Sequence, residues 1–416
     1  MNNIRQFTCE NFRNIKIDEL EFRKVNILVG PNNSGKSNLI RALSFAANLL
    51  STSLKDETLR LGGFDLMKRG SSRKPVKLDY VIELDGKNVE YSLEFKWSEE
   101  SKEFFITNES IDNPDLNQRF NDKFNYFKRL YGKDKQPTAA FSSITQTGRS
   151  NKRLYAYVSS EETIFHQLEQ LAIQNRDILD AEFFSETSYA LINNMRRFLL
   201  SFQSYSSSGF DFQAIRSPAN VKSREDTLKK DGSNFLSVYL YASEIDPHFE
   251  NRYFNKMKAL MHDLQEIKVH KPVSNKTWME FKIDNKVYTF EEMSDGTVEA
   301  SVLALLTSLP AKMKIGILAI DEPEVNLHPA WLKVLARWIL LTESIDQIFL
   351  STHSADFLDS FTEEYLFGNV QLFSYKGYEQ TFLPVDQRTL HKELEEGWQL
   401  GDLYRVGDPS IGGWPW

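Results

Sequence analysis

The sequence predicts an α/β fold in which a mixed sheet is joined by an antiparallel β subdomain and a mostly helical insert. Residues 25–50 form the pattern of an apolar strand, a glycine turn and an amphipathic helix. Ile315–Ile320 and Gln347–Leu350 are short apolar runs with the length of buried strands. Residues 77–97 alternate in hydrophobicity around Asp85-Gly86, which is a strong hairpin signal.

The order of these patterns divides the chain into four predicted segments. Residues 1–97 hold the glycine turn and the hairpin, and 98–235 form the insert. Two helical faces are expected within the insert, one from Phe120, Phe124, Phe127 and Tyr131 and one from Ile164, Leu168, Leu171 and Ile178. Core-like strands and helices resume over 236–385, with a helix near 250–264 and strands near 278–290, and 386–416 form a C-terminal tail.

Composition excludes several classes of protein. The chain has 416 residues, a formal net charge of -8 and one cysteine, Cys9. A uniformly basic nucleic-acid binder is therefore disfavoured, although a local basic patch is allowed. A single cysteine permits neither an intrachain disulfide nor a cysteine-based zinc site. The N-terminus has no apolar signal region and no apolar run is long enough to span a bilayer, so we expect a cytoplasmic protein without a membrane partner.

The turn after the first core strand fits the phosphate-binding pattern G-x-x-x-x-G-K-[ST]. Gly30–Ser37, here called the phosphate-binding loop, reads GPNNSGKS and lies between a strand and a helix. Backbone N–H groups of such a loop converge on phosphates, the lysine reaches the β- and γ-phosphates, and the final hydroxyl binds Mg²⁺. We therefore expect ATP and Mg²⁺ as cofactors. The predicted nucleotide contacts are Asn32, Asn33, Ser34, Gly35, Lys36, Ser37 and Asn38, with Ser37 also a metal ligand and Lys36 also catalytic.

Two carboxylates follow the apolar strand Ile317–Ile320. Asp321 is predicted to bind Mg²⁺ and Glu322 to polarise the attacking water. Acidic residues are also common at solvated strand ends, which is the alternative interpretation. The phosphate-binding loop favours the chemical role, because Mg·ATP chemistry needs an acidic partner for the metal.

Two further motifs extend the predicted site. Ser351-Thr352-His353 ends a buried strand, where His353 is predicted to contact the γ-phosphate as a catalytic residue. Met293–Thr297, here called the signature loop, precedes a helix, and Ser294 and Gly296 are predicted to face a phosphate. An isolated structural histidine and an ordinary helix N-cap are the respective alternatives.

The order of these motifs resembles that of ABC-type ATPases, and within them the RecF/SMC-like and OLD-like AAA ATPases of prokaryotes. The supporting segments are Asn11–Lys16, Gly30–Ser37, Lys230–Asn234, Ile320–Pro329 and Ser351–Ser354. The resemblance implies an ABC-ATPase-like P-loop fold over residues 1–97 and 231–370. It also implies that Arg13 lies beside the nucleotide and that Glu324–His328 is the D-loop at a subunit interface.

The resemblance further implies that the signature loop of one protomer closes on the ATP held by another. One phosphate-binding loop and one signature loop per chain then favour a homodimer, or a higher even-numbered oligomer, that forms around ATP. Two features depart from the family pattern. The signature loop reads MSDGT and not LSGGQ, and no glutamine loop is evident near Phe64–Gly70.

Three functions are compatible with this resemblance. The preferred one is an ATPase that controls a separate effector nuclease in an anti-phage defence system, because the chain shows no nuclease motif of its own. A RecF-like DNA repair ATPase that clamps DNA is the second, and a transporter nucleotide-binding subunit is the third and least favoured.

A basic cluster bears on the choice between these functions, because it could bind nucleic acid through phosphates and stacked bases. The alternative, which we favour, is a solvated face over an aromatic core. The cluster comprises Lys123, Lys128, Arg129, Lys133, Lys135, Arg149, Lys152 and Arg153.

Overall fold

The computed structural model describes residues 2–67, 74–114, 125–132, 136–145, 148–174, 186–221, 224–271, 276–313, 315–377 and 382–412. The chain divides into two compact units. The first contains residues 1–23, 33–202 and 375–383, and the second contains residues 24–32, 203–374 and 384–416. Each unit is built from segments that are distant in the sequence, so neither could be delimited by a single cut in the chain.

The first unit combines an antiparallel sheet with helices. Its strands are β1 (Asn3–Phe12), β2 (Ile15–Glu21), β4 (Val76–Leu84), β5 (Lys87–Trp97), β6 (Phe104–Asp112), β7 (Asn125–Tyr131), β8 (Pro137–Thr145) and β9 (Gly148–Tyr157). Its described helices are α1 (Lys36–Asn48), α2 (Leu54–Arg60), α3 (Gly63–Met67), α4 (Ile164–Gln174) and α5 (Glu186–Leu200).

The eight strands form one sheet in the order β2-β1-β4-β5-β6-β7-β8-β9. The predicted hairpin is confirmed: Leu84 pairs with Lys87, and Asp85 and Gly86 have φ values of 51° and 77° between them. Two consecutive positive φ values are those of a type I′ turn, whose twist matches that of the flanking strands. This sheet is the antiparallel β subdomain expected from the sequence.

The prediction of a mostly helical insert over 98–235 is wrong for its first half. Strands β6 to β9 extend the antiparallel sheet there, and helices appear only from Ile164 onward. The helical face assigned to Phe127 and Tyr131 is strand β7, while Phe120 and Phe124 lie outside the described residues. A spacing of four residues places side chains on one face in a strand as well as in a helix, so the pattern did not distinguish the two. The second predicted face is confirmed as α4, where Ile164, Leu168 and Leu171 are buried; Ile178 lies outside the described residues.

A buried ion pair joins β6, β7 and α4. Arg129 donates to Glu109 at 3.1 Å, and both side chains are fully buried. Glu109 also accepts hydrogen bonds from the backbone N–H of Ile164 at the start of α4, at 2.7 and 2.9 Å. Burial raises the pKa of Glu109, and the positive charge of Arg129 opposes that rise. Because both partners are desolvated, removing one would leave an uncompensated buried charge.

The second unit contains the parallel part of the fold. Its strands are β3 (Val25–Val29), β10 (Phe202–Ser206), β11 (Leu264–His270), β12 (Trp278–Ile283), β13 (Lys286–Thr289), β14 (Ile317–Asp321), β15 (Gln347–Thr352) and β16 (Val370–Tyr375), and β17 (Phe382–Pro384) follows. Its described helices are α6 (Phe212–Arg216), α7 (Phe235–Ile245), α8 (Phe249–Leu260), α9 (Asp295–Ser308), α10 (Pro329–Leu340), α11 (Ala355–Asp359), α12 (Thr362–Leu366), α13 (Gln387–Glu395) and α14 (Leu400–Arg405).

A six-stranded sheet has the order β10-β14-β15-β3-β16-β17. The pairs β14–β15, β15–β3 and β3–β16 are parallel. Every residue of β3 and of β15 is buried, as expected for central strands covered on both faces. Strands β11, β12 and β13 form a separate three-stranded antiparallel sheet.

Helix α9 is buried along almost its whole length, from Thr297 to Ser308. Its last turn contains no basic residue of its own. Two basic residues of α8 supply donors there: Arg252 donates to the Ser308 carbonyl at 3.0 Å, and Lys256, whose pKa burial lowers to about 7, donates to the Thr307 carbonyl at 2.6 Å. These bonds satisfy carbonyls that a helix end leaves unpaired, so the helix that begins at the signature loop is held firmly at its far end.

Among the described residues, no helix combines the length and the apolar character that crossing a membrane would require.

Candidate functional site

Three loops leave one edge of the parallel sheet in the second unit. The register pairs the last residue of β14 with Ser351, and the last residue of β15 with Val29. Since the strands are parallel, the segments that begin at Gly30, Glu322 and His353 start side by side. The carboxyl edge of such a sheet is where ligands bind in α/β folds.

The phosphate-binding loop has the backbone that its glycines and asparagines allow. Asn33 and Gly35 have positive φ values of 64° and 101°. Asparagine tolerates this region better than most residues, and glycine adopts it without steric cost. The loop therefore turns sharply between β3 and α1, as the sequence predicted.

The start of α1 suits an anionic ligand. Its N-cap is Gly35, no side chain caps the helix, and its first turn has no acidic residue. The hydroxyl of Ser34 is buried without a hydrogen-bond partner among the described residues. Open N–H groups at the positive end of a helix are an anion site, and a buried unpaired hydroxyl is costly unless a ligand satisfies it. These residues fit a nucleotide phosphate.

A side chain outside the motif supports the loop. The amide of Asn14 donates to the Asn33 carbonyl at 3.4 Å, and its oxygen accepts from the amide of Asn38 at 2.6 Å. Arg41 donates to the other atom of that same amide, the oxygen of Asn38, at 3.1 Å. The side chain of Asn38, predicted to contact the nucleotide, is thus engaged within the protein. Asn14 was part of the resemblance but had no predicted role.

The end of β14 is tied to the end of β15. The hydroxyl of Ser351 donates to the carboxylate of Asp321, and the backbone N–H of Glu322 donates to the Ser351 carbonyl at 3.1 Å. A carboxylate oriented by a neighbouring hydroxyl is held ready to bind a cation. The orienting role of Ser351 was not predicted from the sequence.

Glu322 and His353 lie within hydrogen-bonding distance of each other. Nδ1 of His353 is 3.2 Å from Oε1 of Glu322. Glu322 also has a positive φ of 56°, which is unfavourable for a residue with a long side chain. Such backbone strain is often retained at functional sites, because the surrounding structure holds a reactive group in one position. The structure thus brings together two of the residues that the sequence predicted to be catalytic.

Glu324 is a buried carboxylate that sequence reasoning assigned only to the D-loop. Its side chain is 6% exposed and accepts from the Thr352 hydroxyl at 2.6 Å and from the His353 N–H at 3.1 Å. Burial raises the pKa of Glu324, while these hydrogen bonds and the charge of His353 oppose the rise. The D-loop is therefore fastened to the end of β15 at its first residue.

The signature loop is satisfied within its own chain. Ser294 is the N-cap of α9, and its hydroxyl accepts from the N–H of Thr297 at 3.3 Å. A Cβ atom added at Gly296 would lie 2.4 Å from the carbonyl oxygen of Asn326 in the D-loop. The glycine is thus needed for a close approach between two loops of one subunit. The phosphate-facing roles predicted for Ser294 and Gly296 stay predictions.

Arg13 is engaged with backbone in the first unit. Its guanidinium donates to the Leu61 carbonyl at 2.7 Å, and its own N–H donates to the Met67 carbonyl at 2.8 Å. Burial lowers the pKa of Arg13, and the positive charge of Arg41 acts in the same direction. Its predicted place beside the nucleotide stays a prediction.

The basic cluster is only partly described. Arg129 is buried in the ion pair with Glu109 and cannot contact a phosphate from solvent. Lys128 is partly exposed. Lys123, Lys133 and Lys135 lie outside the described residues, as do the side chains of Arg149, Lys152 and Arg153. For Arg129 the structure supports the core alternative.

A family model described as "AAA domain, putative AbiEii toxin, Type IV TA system" (AAA_21) matches residues 25–359. The chain belongs to the AAA_21 family. The AAA_21 match extends over the phosphate-binding loop, the signature loop and the D-loop, and it ends at the last residue of α11. The predicted membership of an AAA-type ATPase family and the predicted α/β P-loop fold class are confirmed. No curated protein matched this sequence.

Solved structures similar to this AAA_21 chain include heads of SMC proteins. The SMC head domain from Thermotoga maritima is 12% identical with a TM-score of 0.43, covering 92% of this chain and 99% of that one. An SMC head domain with an extended coiled coil, bound to the C-terminal domain of ScpA derived from Pyrococcus furiosus, is 13% identical with a TM-score of 0.48, covering 95% of this chain and 99% of that one. An SMC head bound to the C-winged helix domain of ScpA is 15% identical with a TM-score of 0.47, covering 94% of this chain and 99% of that one.

Proposed function

We propose that this chain binds Mg·ATP and hydrolyses it. The observation that carries the proposal is the shared edge of the parallel sheet, from which the phosphate-binding loop, the acidic pair and His353 all start. Lys36 binds phosphate oxygens, and Ser37 and Asp321 supply the two protein oxygens that hold Mg²⁺. When bound, Mg²⁺ neutralises charge on the β- and γ-phosphates.

Glu322 acts as the general base in this proposal. Its carboxylate accepts a proton from the attacking water, and His353, 3.2 Å from that carboxylate, orients it. The strained backbone at Glu322 supports this role, because such strain is often retained at functional sites. The hydroxyl of Ser351 donates to the carboxylate of Asp321 and so orients it.

Two substitutions separate binding from hydrolysis. Lys36→Met should weaken binding of a fluorescent ATP analogue about thirtyfold or more, because a charge-assisted contact is lost. Glu322→Gln should leave that binding within about threefold but slow phosphate release about a hundredfold or more. Lys87→Met and Glu343→Gln, at exposed positions, are the matched controls. A purified chain that neither binds nor hydrolyses Mg·ATP would show the proposal to be wrong.

We further propose that two copies close around ATP. The signature loop presents Ser294 and Asp295 at an exposed position, and each chain has one such loop and one phosphate-binding loop. In a twofold dimer both loops could be used twice. Light scattering of Glu322→Gln should give twice the monomer mass with Mg·ATP and the monomer mass without it, and adding Ser294→Arg should abolish the change. An unchanged mass would contradict the dimer but not ATP binding.

The ATPase is proposed to control a separate effector nuclease in anti-phage defence. The motif resemblance supports this, and so does the family description, which names a toxin of a type IV toxin–antitoxin system. The buried state of Arg129 speaks against the basic cluster that a DNA-clamping ATPase would use. Plaque counts on cells that express the chain with its neighbouring genes test the role: Lys36→Met should restore infection. Equal plaque counts with and without the intact genes would reject it.

A further inference from the structure

Glu299 is a buried carboxylate that the proposed reaction does not use. It lies on α9, two residues after the end of the signature loop, and it is fully buried. The neighbouring positions of this helix are apolar, among them Val298, Ala300 and Val302. A carboxylate in such a helix costs free energy unless it makes a contact that an apolar residue could not make.

That contact is with the D-loop. Oε2 of Glu299 accepts a hydrogen bond from the side-chain amide of Asn326 at 3.0 Å. Burial raises the pKa of Glu299 to about 7, hydrogen bonds from Ser207 and Asn326 oppose the rise, and the negative charges of Glu324 and Asp295 add to it.

Asn326 contacts the start of α9 at a second point. It has a positive φ of 63°, and its carbonyl oxygen occupies the place where a side chain at Gly296 would begin, 2.4 Å from the Cβ position. Its side chain and its backbone therefore both face the same helix. The hydrogen bond to Glu299 orients the side-chain amide of Asn326 and so helps to hold Asn326 beside Gly296.

The other end of the D-loop is fastened to β15. Glu324 accepts from Thr352 and from the N–H of His353. Two D-loop residues, Glu324 and Asn326, thus connect the end of β15 to the helix that begins at the signature loop. The D-loop contacts both elements.

We propose that Glu299 is a positioning residue that, through its hydrogen bond to Asn326, holds the signature loop and the D-loop in one relative position during ATP hydrolysis. This inference rests on the proposed ATPase function. Glu299 touches neither the nucleotide nor the water in this scheme. It acts by keeping Glu322 and His353 in register with the signature loop, so its loss lowers the rate of hydrolysis and not the affinity for ATP.

An exchange of donor and acceptor tests the inference. Asn326→Asp removes the donor and, when assayed at about pH 9, above the pKa of Glu299, places two carboxylates face to face; aspartate also tolerates a positive φ. This variant should hydrolyse ATP at least about tenfold more slowly, with KM for ATP changed by less than about threefold. The combined Glu299→Gln/Asn326→Asp variant restores one hydrogen bond with donor and acceptor reversed. Its rate should return to within about threefold of the unaltered chain.

The outcomes separate this inference from the proposed function. A chain that shows no ATP binding or hydrolysis rejects the ATPase proposal itself. Normal hydrolysis by Asn326→Asp, or failure of the combined variant to recover while its melting temperature is normal, rejects the role of Glu299 alone. If Asn326→Asp does not fold, Asn326→Ala, which removes the donor without adding charge, takes its place with the same expected split between rate and KM.

Discussion

Two helices of this molecule begin at a loop predicted to face a phosphate, and they begin in different ways. At α1 the N-cap is a left-handed Gly35, no side chain caps the helix, and the hydroxyl of Ser34 is buried without a partner among the described residues. At α9 the N-cap is Ser294, whose hydroxyl accepts from Thr297. At α1 the hydroxyl of Ser34 needs a ligand to satisfy it, whereas at α9 the hydroxyl of Ser294 has a partner in its own helix.

The difference indicates how the two loops take part in nucleotide binding. The start of α1 is prepared for an anion in the isolated chain, because no side chain caps the helix and the hydroxyl of Ser34 has no partner among the described residues. The hydroxyl of Ser294 at the start of α9 already accepts one hydrogen bond within its own helix, and it keeps an O–H that can donate to another group.

A pH measurement on α9 gives the largest expected effect on this comparison, because α9 has a buried carboxylate and α1 has no acidic residue. The pKa of Glu299 is about 7 in the fold, above its ordinary value of 4.5, so the folded state holds the proton more tightly. Stability should therefore be lost as pH rises from about 4.5 to about 7, by about 3 kcal/mol from this group. Urea unfolding of Glu299→Gln should lack that loss. The free energy of unfolding of the variant, relative to that of the unaltered chain, should therefore be higher at pH 8 than at pH 5. An equal difference at both pH values would contradict this.

A pair of glycine substitutions tests the close approach between the signature loop and the D-loop. Gly296→Ala should destabilise the fold by about 2 kcal/mol, since the added methyl would meet the Asn326 carbonyl and overpack the loop. The control is Gly209→Ala, whose added Cβ would lie at an ordinary 3.8 Å from the nearest atom and should change stability by less than about 0.5 kcal/mol. The measurement is the urea midpoint at constant m-value. Equal midpoints for the two variants would mean that the loops do not approach so closely.

Two serine substitutions give the smallest effect and sharpen the contrast most directly. Ser294→Ala removes an N-cap and should cost about 1 kcal/mol of stability. Ser34→Ala removes a buried unpaired hydroxyl and should cost nothing without nucleotide, while weakening ATP binding. Thermal unfolding with and without Mg·ATP measures both. A loss of stability in nucleotide-free Ser34→Ala would show that its hydroxyl already has a partner.

Local patterns were enough to predict which motifs start at the edge of the parallel sheet. The phosphate-binding loop, the Asp321-Glu322 pair and His353 each follow an apolar strand, and parallel strands bring their ends to one edge. The Asp85-Gly86 hairpin was equally local, since the turn residues themselves specify its register. Each of these predictions needed only residues within a short stretch of chain.

The misassigned elements were those whose pattern has two solutions. Residues four apart share a face in a strand and in a helix, so spacing alone predicts a helix where β7 pairs with β6 and β8. The local sequence likewise places Arg129 in a basic cluster, whereas its ion pair with Glu109 from another strand is fully buried. Partners that are distant in sequence decided both cases.

What the sequence determined by itself is which motifs follow the parallel strands: a glycine turn, an acidic pair and a histidine. What only the tertiary structure decided is which side chains hold those groups in place. Ser351 orients Asp321, Glu324 fastens the D-loop, and Glu299 joins that loop to α9. The physical reason is that a motif is local in the chain, whereas a supporting hydrogen bond joins residues whose closeness arises only when strands and helices pack.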